Sequence, residues 1–261
     1  MKLKRFLKES LELLLREPKL FVPKIATSLI YAAIILALCF LVIGNYELLL
    51  DVLQGKTLSV AEEHTVQAVA MYALLLLVLS LLALIIDILA NAMYPVLVKD
   101  FYAGRKLSLA RALSEAFKNS SKVVPISLLL VLFFSIPLAF LSVYSLKTLP
   151  PAYTIFITFL IFLFYFVLIV LFYFLYAALM LEKKRVVESV GKEIKLVKRN
   201  FAMVSKAAII PFAASILSLM FSILTVLEPL FILLFLLYRI LIAVLYTYHM
   251  VLSSSIYLKV M

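Results

Sequence analysis

The chain has 261 residues, 66% hydrophobic and 15% charged, with 25 Lys and Arg against 14 Asp and Glu and a formal net charge of +11. Soluble domains average roughly 45–50% apolar and about 25% charged residues, so this composition excludes a water-soluble globule. The single cysteine, Cys39, leaves no internal disulfide and no cysteine-based metal cluster. The positive charge comes without the aromatic–basic motifs of an RNA surface, so no nucleic-acid partner is expected.

The first segment, 4–16, sets Leu3, Phe6, Leu7, Leu11, Leu14 and Leu15 against Lys4, Arg5, Lys8, Glu9 and Glu12. This spacing predicts an amphipathic helix lying near-parallel to a membrane surface. Its scattered charges break up the apolar core that a signal peptide needs. An apolar run follows at 21–43. The stretch 44–66 then carries Glu47, Asp51, Glu62, Glu63 and His64 without a recognisable metal-ligand spacing, and reads as a solvated acidic loop. A second apolar run covers 67–98.

Gly104 stops that helix, and Ser108 is placed to cap the next, 107–118. There Leu109, Ala112, Leu113, Ala116 and Phe117 oppose Arg111, Ser114, Glu115 and Lys118. Apolar runs at 123–146 and 152–181 come next. A third amphipathic helix is predicted at 186–199, where Val187, Val190, Ile194, Val197 and Phe201 form one stripe. Lys184, Arg185, Glu188, Lys192, Lys195 and Arg199 fall mostly off it. The last runs are 201–227 and 229–258, with the Glu228-Pro229 turn between them.

Each apolar run exceeds the ~20 residues that a helix needs to cross ~30 Å of hydrocarbon, and lipid admits such runs only as helices. The expected fold is an all-α integral membrane protein of six spans, arranged as three hairpins in one domain. Each hairpin follows a basic amphipathic helix, so the chain reads as three similar units of about 1–98, 99–181 and 182–261. Pro23 and Pro125 take equivalent places after the first two amphipathic helices, and Pro211 comes five residues late. Of the 25 basic residues, 22 fall in 1–24, 98–122, 182–206 or at Lys259. The positive-inside rule then places both termini and both basic loops in the cytoplasm, in a multi-pass cell-membrane protein. With no Trp present, Tyr46, Tyr102, Tyr144, Tyr153 and Tyr257 are candidate interfacial anchors.

The stretch from Gly104-Arg105-Lys106-Leu107-Ser108 through Ala112, Leu113 and Ala116 resembles the second amphipathic helix of a broad group of prokaryotic six-span proteins. Glu182 through Ser189 to Arg199-Asn200-Phe201 resembles a segment of the same group. That group comprises uncharacterised archaeal membrane proteins and the membrane domain of some glycerophosphoryl diester phosphodiesterases. The resemblance implies architecture and no catalytic residue, because the soluble phosphodiesterase domain has no counterpart here. Few Gln and abundant Lys, Glu and Ile add a compositional hint of a thermophile.

Polar residues within spans mark where function is expected. Asp87 and Asn91 lie one turn apart in the second span. His249 lies in the sixth at a depth matching Asp87, which makes it the natural partner for that carboxylate and a candidate proton relay. Arg239, 20 residues before Lys259, is expected to snorkel to the outer interface. The cations Lys4, Arg5, Lys8, Arg111, Lys118, Lys184, Arg185, Lys192, Lys195 and Arg199 are candidate contacts for anionic lipid headgroups. No enzyme motif, cofactor loop or His-rich metal site appears, so no catalysis, cofactor or metal is expected. Two readings stay open. One is a transporter- or channel-like protein with a polar path through Asp87, Asn91 and His249. The other is a lipid-interacting or scaffolding module that moves no solute. A protein partner or homo-oligomer fits either.

Overall fold

The structure is a computed structural model describing residues 3–53, 59–140, 151–182, 185–227 and 232–260. It is 93% helical without strands among the described residues, and six of its helices are long and apolar enough to cross a membrane. The protein is an all-α polytopic membrane protein.

The three amphipathic segments are helices α1 (Leu3–Arg16), α5 (Leu109–Lys118) and α9 (Val186–Arg199). The leading span of each hairpin is α2 (Val22–Gly44), α6 (Ser120–Phe140) or α10 (Phe201–Leu227). The returning spans are α4 (Val60–Tyr102), the pair α7 (Pro151–Leu171) and α8 (Leu175–Leu181), and α11 (Ile232–Val260). The 44–66 stretch is not a loop throughout. It holds a short helix, α3 (Tyr46–Leu53), and the first turn of α4. There Ser59 and Glu62 form a reciprocal capping box, satisfying two otherwise orphaned backbone N–H groups. The turn at Glu228-Pro229 lies outside the described residues, as do Lys184 and Tyr144.

The returning spans answer their excess length differently. With 43 residues, α4 extends about 64 Å at 1.5 Å per residue, twice the hydrocarbon thickness. The second return is instead interrupted at Phe172–Phe174. The break is held by Glu193 of α9, whose Oε1 accepts the Phe174 N–H at 2.9 Å. At the end of α4, Gly104 takes φ +67, a left-handed conformation that suits glycine. Its N–H donates to the Phe101 carbonyl, and Arg105 N–H reaches back to Asp100 O at 2.9 Å, which is a Schellman close. Four residues on, Ser108 caps α5 through Arg111 N–H.

Packing follows one rule in all three units. Each leading span lies between its own return and the return of the preceding unit: α2 between α4 and α11, α6 between α8 and α4, α10 between α11 and α7. Each amphipathic helix rests on the return of the preceding unit, with α1 on α11, α5 on α4 and α9 on α8. The helices α4, α8 and α11 touch one another at the centre. The register of the surface helices agrees as well. Ser10 and Leu14, Ala112 and Ala116, and Glu193 and Val197 are all buried at i, i+4.

Burial is concentrated in the half of the bundle next to these surface helices. Along α4, Ile88–Val98 is buried without interruption, whereas most side chains from Met71 to Leu82 are exposed and apolar. A helix that is apolar all round but exposed is matched to lipid. Tyr46, Tyr102 and Tyr153 are exposed as interfacial anchors would be. Tyr257 is not: it is fully buried, and its hydroxyl donates to Glu182 at 2.8 Å.

Glu193 is the most buried acid of the amphipathic helices, at 0% exposure. Burial pushes its carboxyl well above the ordinary carboxylate range and outweighs the Phe174 N–H, which pulls the other way. The folded protein thus retains a proton that the unfolded chain releases near its ordinary value. Stability is then full below that value and declines as pH rises toward the folded pKa, by at most about 1.4 kcal/mol per pH unit. Glu193→Gln keeps the acceptor for Phe174 and removes the titration. Melting curves in detergent between pH 5 and 8 should fall with pH in the parent and be flatter in the variant, with the variant the more stable at pH 8.

Candidate functional site

The polar cluster sits where the packed half of the bundle gives way to the lipid-exposed half. Asp87 occupies that boundary on α4, immediately before the buried run that starts at Ile88. Facing it, α2 presents Lys24, Thr27, Ser28 and Tyr31, spaced i, i+3, i+4 and i+7 and therefore on one face. Lys24 Nζ pairs with both carboxylate oxygens of Asp87, at 2.7 and 2.9 Å. Thr27 Oγ1 donates to Oδ1 at 2.7 Å, and Asn91 Nδ2 to Oδ2 at 3.3 Å. Lys24 is only 6% exposed. Its ammonium also lies 5.4 Å from the centre of the Tyr246 ring. A buried ion pair endures only when further hydrogen bonds complete it, and this one is so completed.

The expectation that His249 would be the carboxylate's partner is corrected. Helices α4 and α11 are neighbours, and Asp87 and His249 line the same cavity. Lys24 nevertheless holds the Asp87 carboxylate, because α2 lies between α4 and α11 and its lysine stem reaches the acid directly. His249 packs edge-on against Tyr173 at 5.0 Å, and its Nδ1 makes no hydrogen bond among the described residues. Asn91, besides supporting Asp87, approaches the Tyr176 hydroxyl at 3.5 Å, which Ser127 Oγ also contacts at 3.3 Å. Asp87 and Asn91 are thus brought together with α2, α6 and α8, and His249 borders the same space.

Arg239 is corrected too. It does not snorkel away: it lines a cavity with Lys24, Tyr31 and Asp87, and its guanidinium lies over the Tyr31 ring at 5.9 Å. Its Nε is buried without a hydrogen-bond partner among the described residues. Ser28 Oγ donates to the Arg239 carbonyl at 2.8 Å, fixing α2 against α11 at this level. Two adjoining cavities result. One of about 260 Å³ is bordered by Lys24, Tyr31, Asp87, Arg239 and Tyr246. The other, about 330 Å³, runs past Asp87, Asn91, Tyr176, Tyr246 and His249 to Ser253, with Leu130, Phe134 and Phe172 on its apolar side. They share Asp87, Asn91, Tyr246 and Met250.

Sequence reasoning missed Lys24, Thr27 and Tyr31. Lys24 groups with the basic segment 1–24 by charge although it falls inside the 21–43 run, and the polar stripe at 24, 27, 28 and 31 is the available signal.

The ten candidate headgroup contacts divide. Arg111 is tied to buried Asp100 at 2.5 Å and Lys192 to Glu182 at 2.6 Å, so both serve packing. Arg5, Lys8 and Lys118 pair along their own helices with Glu9, Glu12 and Glu115. Lys4, Arg185, Lys195 and Arg199 are exposed and make no ion pair among the described residues. Lys259 binds Glu9 from the chain's far end, and that ammonium first, then the Arg5 guanidinium, hold the Glu9 carboxyl below its ordinary value. Among the described residues no group of three or more His, Cys, Asp and Glu gathers as a metal site. Comparison with known protein families, with curated proteins and with solved structures finds no match to this chain.

Removing one member of the buried pair leaves the other uncompensated. Lys24→Met should destabilise the protein by about 3–5 kcal/mol, and Lys24→Met with Asp87→Asn should regain most of that loss. Thermal unfolding of the two singles and the double in one detergent measures the coupling. A double variant as unstable as Lys24→Met would show that the pair holds nothing together.

Proposed function

We propose that this protein is a transporter- or channel-like membrane protein whose polar path runs along α2, α4 and α11. One observation carries the reading: Lys24, Asp87 and Arg239, three ionisable side chains inside candidate spans, line one cavity, and Asp87 also borders the second that adjoins it. Charged groups at such depth are costly in lipid, and a water-lined or solute-lined space is the usual reason for them. Asn91, Tyr176, His249 and Ser253 continue the polar wall toward the surface helices. In this reading Asp87 is the gating acid, held by Lys24 when the path is empty. The basic face, with both termini, is cytoplasmic, since the cations cluster there. The resemblance in layout to six-span prokaryotic proteins would bear on architecture only, and we ascribe no catalysis.

The second reading, a lipid-interacting scaffold, draws on a different observation. On α1 and α5, Leu11, Leu15, Leu113 and Phe117 are exposed beside basic residues, with Leu15 at 73%. Such side chains enter the headgroup layer while cations meet anionic lipid.

Proteoliposomes separate the two. Vesicles loaded with a pH-sensitive dye, under a potassium diffusion potential, should show proton flux with the parent protein and much less with Asp87→Asn. Equal flux in both would remove Asp87 from the path, and no flux in either would favour the scaffold. Orientation is checked separately in a Cys39→Ser background. A cysteine at Glu63 should react with impermeant maleimide from outside intact cells, and one at Ser114 should not.

A further inference from the structure

The smaller cavity has a charge imbalance that the polar-path reading leaves unused. Lys24 and Asp87 cancel each other at 2.7 Å. Arg239 remains, facing the same space, with its Nε unpartnered and no ion pair among the described residues. A guanidinium stays protonated at any physiological pH, so it cannot shed its charge on burial as a lysine or a carboxylate does. The Tyr31 ring beneath it supplies a quadrupole but no countercharge. Two cations against one carboxylate leave the cavity one negative charge short.

We propose that this cavity is an oxyanion site, taking a carboxylate or phosphate group between Arg239 and Lys24. The proposal rests on the polar cavity being the protein's working site, and it names what that site takes. The planar fork of Arg239 suits two oxygens of such a group. From the other side Lys24 turns part of its hydrogen bonding from Asp87 to the incoming anion, while Thr27 and Asn91 keep the acid satisfied. Ligand and Asp87 therefore compete for one ammonium. At about 260 Å³ the cavity has room for a small anion with some of its water, a water occupying about 30 Å³ of liquid. Two sources share this chemistry: a free anion from solution, and the headgroup of an anionic lipid whose chain would lie along Leu130, Phe134 and Phe172 of the neighbouring cavity.

The test uses full-length protein, delipidated in a neutral detergent, with melting temperature and calorimetric binding as readouts. Inorganic phosphate and acetate are titrated at constant ionic strength against chloride. Phosphatidylglycerol is added in a second arm, with phosphatidylcholine as its control. Saturable stabilisation by phosphate or acetate assigns a free anion, and stabilisation by phosphatidylglycerol alone assigns a headgroup. In either arm Arg239→Gln should weaken binding by about tenfold or more, Arg239→Lys should weaken it less, and Asp87→Asn should strengthen it by freeing Lys24. The Arg239→Gln comparison also separates the cavity from headgroup binding at α1, α5 and α9. The site is overturned if no probe stabilises the parent, or if Arg239→Gln responds as the parent does. Should Arg239→Gln fail to fold, unchanged or weaker binding by Asp87→Asn overturns it instead. Anion binding without flux would leave this site standing and remove transport; flux insensitive to these anions would do the reverse.

Discussion

The ion pair between Lys24 and Asp87 fixes how the first two spans meet. Among apolar helices each charge is stabilised by the other, and Thr27 and Asn91 supply the remaining hydrogen bonds. A helix sliding by one residue would turn one partner about 100° away and strand both. The pair therefore works as a register lock, whatever its net contribution to stability. Helix α2 is also held by Ser28 to the Arg239 carbonyl, so one leading span aligns two returning ones.

Around that lock the bundle is unevenly built. Toward the surface helices, α4, α8 and α11 close on one another with small and aromatic side chains, and α1, α5 and α9 seal the end. Away from them, α4 turns its leucines outward to lipid. Cavities form at the transition, where helices that touch tightly on one side begin to part on the other. Polar residues placed there remain within reach of one another without being squeezed dry. This is why Asp87, the residue just before the buried run, is also among the four residues both cavities share.

Much of this architecture is legible in the sequence. Six apolar runs in a lipid solvent leave only helices as an answer, and the stripes in 4–16, 107–118 and 186–199 lie within a residue or two of the ends of α1, α5 and α9. Gly104 and Ser108 behave as local chemistry dictates. The break at Phe172–Phe174 is not legible, because the group that accepts its freed N–H is Glu193, a residue in another helix. The site was half legible. Asp87 and Asn91 stand out as polar in an apolar run, but which cation reaches the carboxylate depends on which helix lies between α4 and α11. Counting distance along one helix could match His249 to Asp87 in depth. It could not show that Lys24 stands nearer.

The broken return has a mechanical meaning. Phe174 N–H is held by a carboxyl that belongs to α9, and the adjoining Tyr173 ring forms the surface against which His249 packs. Helix α9 is thereby coupled to a wall of the interior cavity, through this hydrogen bond, the Lys192–Glu182 pair and its packing on α8. Displacing α9 from α8 would take the acceptor from Phe174 and loosen the break beside the contact between Tyr173 and His249.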